Sequence, residues 1–321
     1  MNAAFMETAA HGLGTLRIGG RSVPGQGRLV DSLGKLAGWI NGECATVSPW
    51  PGVRFETNLT DRIQRQMWAG TYEPHVRACF EALIKPGHVY FDVGGHIGYH
   101  AVAAAHWVGE SGRVFAFEAD PVMYERLARN LRQFPWAQAT HAAVWDRSET
   151  LTFSRSPVAQ ESGWGTLSRV RDFGEGEHLE VRAVSLDNWF RDANLTRWDM
   201  MKLDAEGSEL AVLQGARDAL EQFHPVMMIE INGILLKEAG ISPVQVVGFL
   251  MARGYRLFSL SYGRLEPWNL ASHGDFSDTL CLPDFRAAEA LNRLTDAGFT
   301  LVDSSTHRAG HSQSSPSRAG S

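Results

Sequence analysis

The chain is poor in cysteine, in long apolar runs and in surplus positive charge, and each shortage removes a class of function. Cys44, Cys79 and Cys281 are three in 321 residues, far apart and without CxxC spacing. That excludes a disulfide framework and a cysteine zinc site, and the three read as reduced thiols. No stretch of about 18 apolar residues runs uninterrupted, so a membrane-spanning helix is not expected. The opening "MNAAFMETAAHGLG" lacks a basic region followed by a continuous apolar stretch, so no secretion leader is read there. Lys and Arg number 30 against 36 Asp and Glu, for a formal net charge of -6. A nucleic-acid-binding surface as the main function is disfavoured by that balance. These absences predict a cytoplasmic protein with a small-molecule partner.

What is present is an apolar content of 44% with 21% charged residues, enough for one large α/β domain with appendages. Residues 1–35 are rich in Gly, Ala and Ser and read as a loosely structured segment. A helical or irregular lead-in is expected over 36–85, the main domain over 86–303, and a disordered tail over 304–321, which has no apolar residue larger than Ala. Within the main domain, strand-length apolar segments alternate with amphipathic helix-length ones, the pattern of a mostly parallel sheet covered on both faces. The strand candidates are "HVYFDV", "GRVFAFE", "QATHAAV", "WDMMKLD", "PVMMIEI", "YRLFSLS" and "DTLCLP", with a reversed edge strand expected among the last two. Helices are expected over 96–107, 121–133, 207–222 and 243–253. The segment 151–181 breaks the alternation and reads as an irregular or hairpin insertion of the kind that carries specificity. In it, Trp164 is placed either to stack on a sugar ring or to anchor the loop.

"VYFDVGGHIGYH", Val89 to His100, runs from a strand through a glycine turn into a helix, the place where open α/β sheets hold their ligands. A dinucleotide fingerprint would need glycine at position 93, which is Val, and no Lys-Ser/Thr pair follows to make a phosphate loop. What remains is Asp92 at the strand end, Gly94, Gly95 and Gly98 in the turn, and Glu118 closing the next strand. A carboxylate at that second tip matches the two hydroxyls of a ribose. Asp92 would repel a phosphate but suits an ammonium or sulfonium group. S-adenosylmethionine offers all three. A nicotinamide-dependent oxidoreductase on a similar sheet, and a non-catalytic scaffold that binds the cofactor, are the alternative readings.

The blocks "AGTYEP", "DVGGHIGYH", "VFAFEADPVMYERLARNL", "VSLDNW", "MKLDAEGSELAVLQGA", "PVMMIEIN" and "DTLCLP" occur in that order between Trp68 and Pro283. In this order they resemble the FkbM family of S-adenosylmethionine-dependent methyltransferases. The resemblance implies a Rossmann-like class I methyltransferase fold of seven strands, mostly parallel with an antiparallel edge strand. It also implies O-methylation of a hydroxyl on a sugar, glycan or polyketide-type product. By position, Asp92, Gly94, Gly95 and Gly98 would line the methionine end, with His96 a donor to the cofactor carboxylate. Glu118 would hold the ribose, Ala119 and Asp120 the adenine edge, and Tyr72 and Glu73 a lead-in that folds over the cofactor. Gly95-His96 stands where the family often has Ala-Asn, a departure that bears on the His96 contact.

Methyl transfer asks the protein to align an acceptor oxygen and manage its proton. In "MMKLDAEGSE" a period of two puts Lys202 and Asp204 on one face, with Glu206 just beyond. Asp204 or Glu206 would be the base or orienting group, and Lys202 would set its pKa or hold the incipient alkoxide. Glu230 and Asn232 share a face at the end of "MMIEIN", and with Asp204 they offer oxygen ligands for a magnesium ion that would lower the acceptor's pKa. Without a metal, Glu230 is itself a candidate base. His100, near the turn, and His106 carry less weight, as do His307 and His311 in the tail.

Overall fold

The computed structural model describes residues 26–155 and 176–302, with short pieces between 8 and 22 and between 162 and 174. Trp164, His307, His311 and the expected tail over 304–321 lie outside the described residues.

Helix α1 (Gln26–Asn41) opens the continuous part, so the expected boundary at residue 35 falls inside a helix. A hairpin of β1 (Cys44–Val47) and β2 (Phe55–Asn58) follows, then α2 (Arg62–Trp68) and α3 (Pro74–Leu83). Asp61 caps α2 by accepting from the Gln64 N–H at 2.9 Å, and Pro74 starts α3 where a missing N–H costs nothing.

The main domain is built on β3 (Val89–Val93), β4 (Arg113–Glu118) and β5 (Ala137–His141), linked by α4 (Tyr99–Val108) and α5 (Pro121–Leu131). After a break come β6 (Ala143–Val144), β7 (Glu149–Arg155), β8 (Thr166–Leu167) and β9 (Glu177–Val184), and then α6 (Leu186–Asp192) and β10 (Met200–Leu203). Helices α7 (Glu209–Gln214) and α8 (Arg217–Phe223) lead to β11 (Val226–Asn232), then α9 (Gly233–Glu238) and α10 (Pro243–Met251). The last elements are β12 (Tyr255–Ser261), β13 (Arg264–Pro267), α11 (Leu270–His273), β14 (Phe276–Pro283), α12 (Asp284–Asp296) and β15 (Thr300–Leu301).

The main sheet runs β15-β13-β12-β14-β11-β10-β3-β4-β5. From β11 to β5 all pairings are parallel, while β14 is antiparallel to both β11 and β12. This is the Rossmann-like methyltransferase order, extended beyond seven strands by β13 and β15. The reversed strand expected at the edge lies inside the sheet, between β11 and β12, and short β15 forms that edge instead.

Alternation along the buried strands sorts their side chains into two cores. Tyr90, Met200 and Met228 join one core, under α3, α4 and α12, while Phe91, Met201 and Ile229 join the other, under α6, α7 and α10. Asp92, Lys202 and Glu230, each two residues further along, therefore point toward the α3–α4 side.

The insertion is a second sheet, β8-β7-β9-β6, in which Glu149–Arg155 and Glu177–Val184 pair antiparallel. It reaches a little beyond 151–181 at both ends. "QATHAAV" does not form one strand: β5 ends at His141, and Ala143–Val144 pairs parallel with β9 in the second sheet. The helix expected over 207–222 is split at Gly215, where a Cβ would lie 2.1 Å from the Trp145 carbonyl oxygen. Cys44 is exposed, Cys79 and Cys281 are buried, and all three are free thiols. Among the described residues no helix is long and apolar enough to cross a membrane.

Candidate active site

The chain winds outward from β3 through β4 to β5, then returns to β10 on the other side of β3. The crevice at this reversal is where doubly wound sheets bind ligands. Lys202 stands in register with Asp92, and Leu203 with Val93, so the two halves meet at those residues. A cavity of about 300 Å³ opens at the carboxyl ends of these strands.

Its wall at β3 is the glycine turn. Gly94 and Gly95 both donate their N–H to the Phe117 carbonyl, at 3.1 and 2.9 Å, which folds the turn down onto β4. Gly94 has φ +79°, and a Cβ there would lie 1.8 Å from the Asp204 carbonyl oxygen. Only glycine fits at that crossing of the β3 and β10 tips. Gly98, expected at the ligand, does not line the cavity. A Cβ on it would meet Leu127 at 2.8 Å, so its role is close packing of α4 against α5.

Asp92 is 1% exposed, and neither of its oxygens has a hydrogen-bond partner. Burial pushes its carboxyl upward, against the pull of Lys202 and His100. Glu118 is held by backbone: Oε2 accepts from the His96 N–H at 2.8 Å and Oε1 from the Asp120 N–H at 2.7 Å. Burial nonetheless raises it to about 8. His96 has φ +50°, and its Nε2 is 2.7 Å from the Ser162 hydroxyl. Its Nδ1 is buried without a partner, and burial lowers its pKa. Ala119 lines the cavity. So does Asp120, but its carboxylate is already committed: it caps α5 through the Val122 and Met123 N–H groups. It also pairs with Arg155 of β7, at 2.7 and 2.9 Å.

On the other side of Gly94 the charges gather. Lys202 Nζ is 2.7 Å from Asp204 and 3.9 Å from Glu73. Glu73, in the left-handed region at φ 38° just before α3, also meets His100 Nε2 at 2.7 Å. Burial alone would raise Glu73, but Lys202 and His100 outweigh it and hold the carboxyl far below the usual range. Burial by itself would lower Lys202; the carboxylates of Asp204 and Glu73 reverse that and push it well up. Glu230 is raised well above the ordinary carboxylate range by burial, then by Asp204 and Glu206. Glu206 is raised likewise by burial, Asp204 and Glu209. Tyr72 lies partly buried beside this group, its ring edge-on to Tyr99, and desolvation of its hydroxyl with the Glu73 charge raises it.

Glu73, Asp204 and Glu230 each bring an oxygen within 4.8 Å of the others. Asn232, expected with them, lies elsewhere: it does not line the cavity, and its Oδ1 accepts from the Leu235 N–H at 3.4 Å, capping α9. Lys202 already supplies a cation to two of the three carboxylates, so a divalent ion would enter against a fixed like charge.

Two residues of this region escaped the sequence reading. Glu209 is 1% exposed, and its Oε1 accepts from the Ala205 and Gly207 N–H groups at 3.2 and 3.1 Å. It pins the loop in which Glu206 (φ 47°) and Gly207 (φ 92°) turn left-handed. Burial raises it to about 7. Arg155 ties the second sheet to the start of α5. The "KLDAEGSE" block ends on Glu209, but a first-turn acid on a helix ordinarily faces water, which hides its burial.

A switch-point cavity with an acid at the first strand tip, a second at the next, and no dinucleotide glycine spacing defines a Rossmann-like methyltransferase. The profile of the Methyltransferase FkbM domain family matches residues 92–257, just over half of the chain. The chain belongs to that family. It is similar to the hexuronic acid methyltransferase AglP of Haloferax volcanii, 29% identical over 163 residues, which are 50% of this chain and 61% of that protein. The chain thus spans about three fifths of that curated relative's length. Among solved structures it is similar to a methyltransferase FkbM from Methylobacillus flagellatus, at 16% identity and TM-score 0.39 over 68% of this chain and 53% of that one. It is similar also to Aeropyrum pernix fibrillarin with natively bound S-adenosyl-L-methionine, at 14% identity and TM-score 0.37 over 64% and 72% of the two chains.

Proposed function

We propose that the protein is an S-adenosylmethionine-dependent O-methyltransferase acting on a hydroxyl of a sugar, glycan or polyketide-type product. The observation that carries this is Asp92: two buried, unpartnered carboxylate oxygens facing a cavity. A buried carboxylate is costly unless a cation completes it, and the donor's α-ammonium is such a cation. Gly94 leaves the turn open beside it, Glu118 is anchored by two backbone N–H groups with acceptor capacity left for a ribose diol, and Ala119, Met123 and Phe153 offer an apolar slot for a purine.

The donor supplies a methyl group on a good leaving group, so the chain's task is alignment and proton removal. Glu230 is the assigned base: it lines the cavity, and burial beside Asp204 and Glu206 raises its affinity for the hydroxyl proton. Asp204, fixed by Lys202, orients the acceptor hydroxyl, and Lys202 steadies negative charge developing on that oxygen. Glu73 and His100 hold Lys202 in place, and Tyr72 closes that side.

Calorimetry with S-adenosylhomocysteine and with NAD tests the assignment: binding of the first and none of the second is expected. Tight NAD binding without response to the donor product would sink it. Asp204→Asn and Glu230→Gln should lower kcat by about 10²-fold or more while retaining S-adenosylhomocysteine binding; normal methylation by both would dismiss these roles. No step runs through magnesium, so turnover should survive EDTA. Loss of turnover that magnesium restores would transfer Glu73, Asp204 and Glu230 to a metal centre.

A further inference from the structure

The charge of the cavity's acceptor end is unbalanced. Lys202 is committed to Asp204 at 2.7 Å, and Glu73 to His100 at 2.7 Å. Glu206 and Glu230 remain in the wall, with no hydrogen-bond donor from the described residues; Asp204 is the strongest charge acting on each, and Lys202, already paired, offsets it only in part. Among the described residues the guanidinium acting on Glu206 is that of Arg171, which is taken by Glu238 through two bonds of 2.5 Å. Independently, Asp92 turns two unpartnered, buried oxygens into the same cavity. On the reading above Asp92 is matched by the donor's ammonium, so the donor leaves Glu206 unanswered. An anionic acceptor would place like charge against these carboxylates, which is among the costliest mismatches at a binding surface. A neutral polyol would leave Glu206 and Glu230 without a cation, each pushed toward its neutral form by burial.

We propose that the acceptor is a polyhydroxylated compound carrying a protonated amino group near the methylated hydroxyl, of the amino sugar or aminocyclitol class, with the ammonium on Glu206 and the hydroxyl on Glu230. The proposal rests on the methyltransferase assignment. The reaction balances without a further reactant: the acceptor oxygen takes the methyl group, the C–S bond of the donor breaks, and the hydroxyl proton passes to Glu230.

The full-length protein is incubated with donor labelled on the methyl group and an extract of the cells that naturally make it. Labelled products are then separated by charge. Label retained on a cation exchanger at mildly acidic pH, and released after N-acetylation with acetic anhydride, is the expected result. Label that flows through both exchangers, or is held by an anion exchanger as a uronate would be, overturns the proposal and leaves the methyltransferase assignment standing. An enzyme that labels nothing overturns both. With the labelled acceptor purified, Glu206→Gln should raise its KM by about tenfold or more and change kcat little, whereas Glu230→Gln should act on kcat. An unchanged KM in Glu206→Gln would overturn the placement of the amine.

Discussion

Gly94 is where one hydrogen atom matters most. Its φ of +79° and the 1.8 Å a Cβ would leave to the Asp204 carbonyl mean that Gly94→Ala must move the β3 turn away from β10. Backbone strain alone costs about 1–3 kcal/mol at such a position. The variant should melt lower, and its S-adenosylhomocysteine affinity should fall by at least about tenfold in calorimetry. Glu209 has a different signature. Its pKa is raised to about 7 in the fold from the ordinary 4.5 of a free glutamate, and Glu118 is raised to about 8. The native state therefore binds protons that the unfolded state has released, and stability falls as pH climbs from about 4.5 to 8. Thermal unfolding of the ligand-free protein should show Tm declining across that window, with a smaller decline in Glu209→Gln. A flat profile in the natural protein would contradict the assigned burial of both carboxyls. Asp92, Glu118, Lys202 and Glu230 were legible in the sequence because strand alternation dictates which face each takes. Asn232 was not, because at a strand's last residue the side chain can enter the crevice or cap the following helix. That choice depends on how sharply the chain turns at Gly233, where a Cβ would meet the Gly274 carbonyl at 2.1 Å.

Among elements, β3, β4, β10 and β11 were readable because burial on both faces makes them nearly continuous apolar runs. The departures arise where a contact distant in sequence decides. The Trp145 carbonyl against Gly215 splits one expected helix. The hand-over of Ala143–Val144 to β9 splits an expected strand. Nor could local pattern place β14 between β11 and β12, since both of its edges are satisfied by strands far away in the chain. The second sheet reaches the ligand end through Arg155, whose guanidinium grips both oxygens of Asp120. Arg155→Ala should cost little in Tm, as a partly exposed pair, yet weaken donor binding several-fold by loosening the start of α5. Equal KM for the donor in variant and parent would show that the second sheet does not brace that end.

At the scale of the whole molecule, ligand binding and folding share the switch point, because the cavity is made by the tips of β3, β4, β10 and β11 together. A ligand that binds only the folded chain at a hundred times its Kd adds about 2.7 kcal/mol, and a rise in Tm of roughly 5–10 °C with S-adenosylhomocysteine is expected for a domain of this size. No shift would argue that the cavity takes another ligand. The interior placement of β14 also has a consequence for synthesis. Until Phe276–Pro283 leaves the ribosome, β11 presents a bare row of amides and carbonyls along Met227 to Asn232, a ready template for pairing with another nascent chain. At roughly 5–20 residues per second, the stretch from β11 to Pro283 keeps that edge open for about 3–10 s, so truncation before β14 should yield aggregates, and chaperone occupancy during translation should peak in that interval.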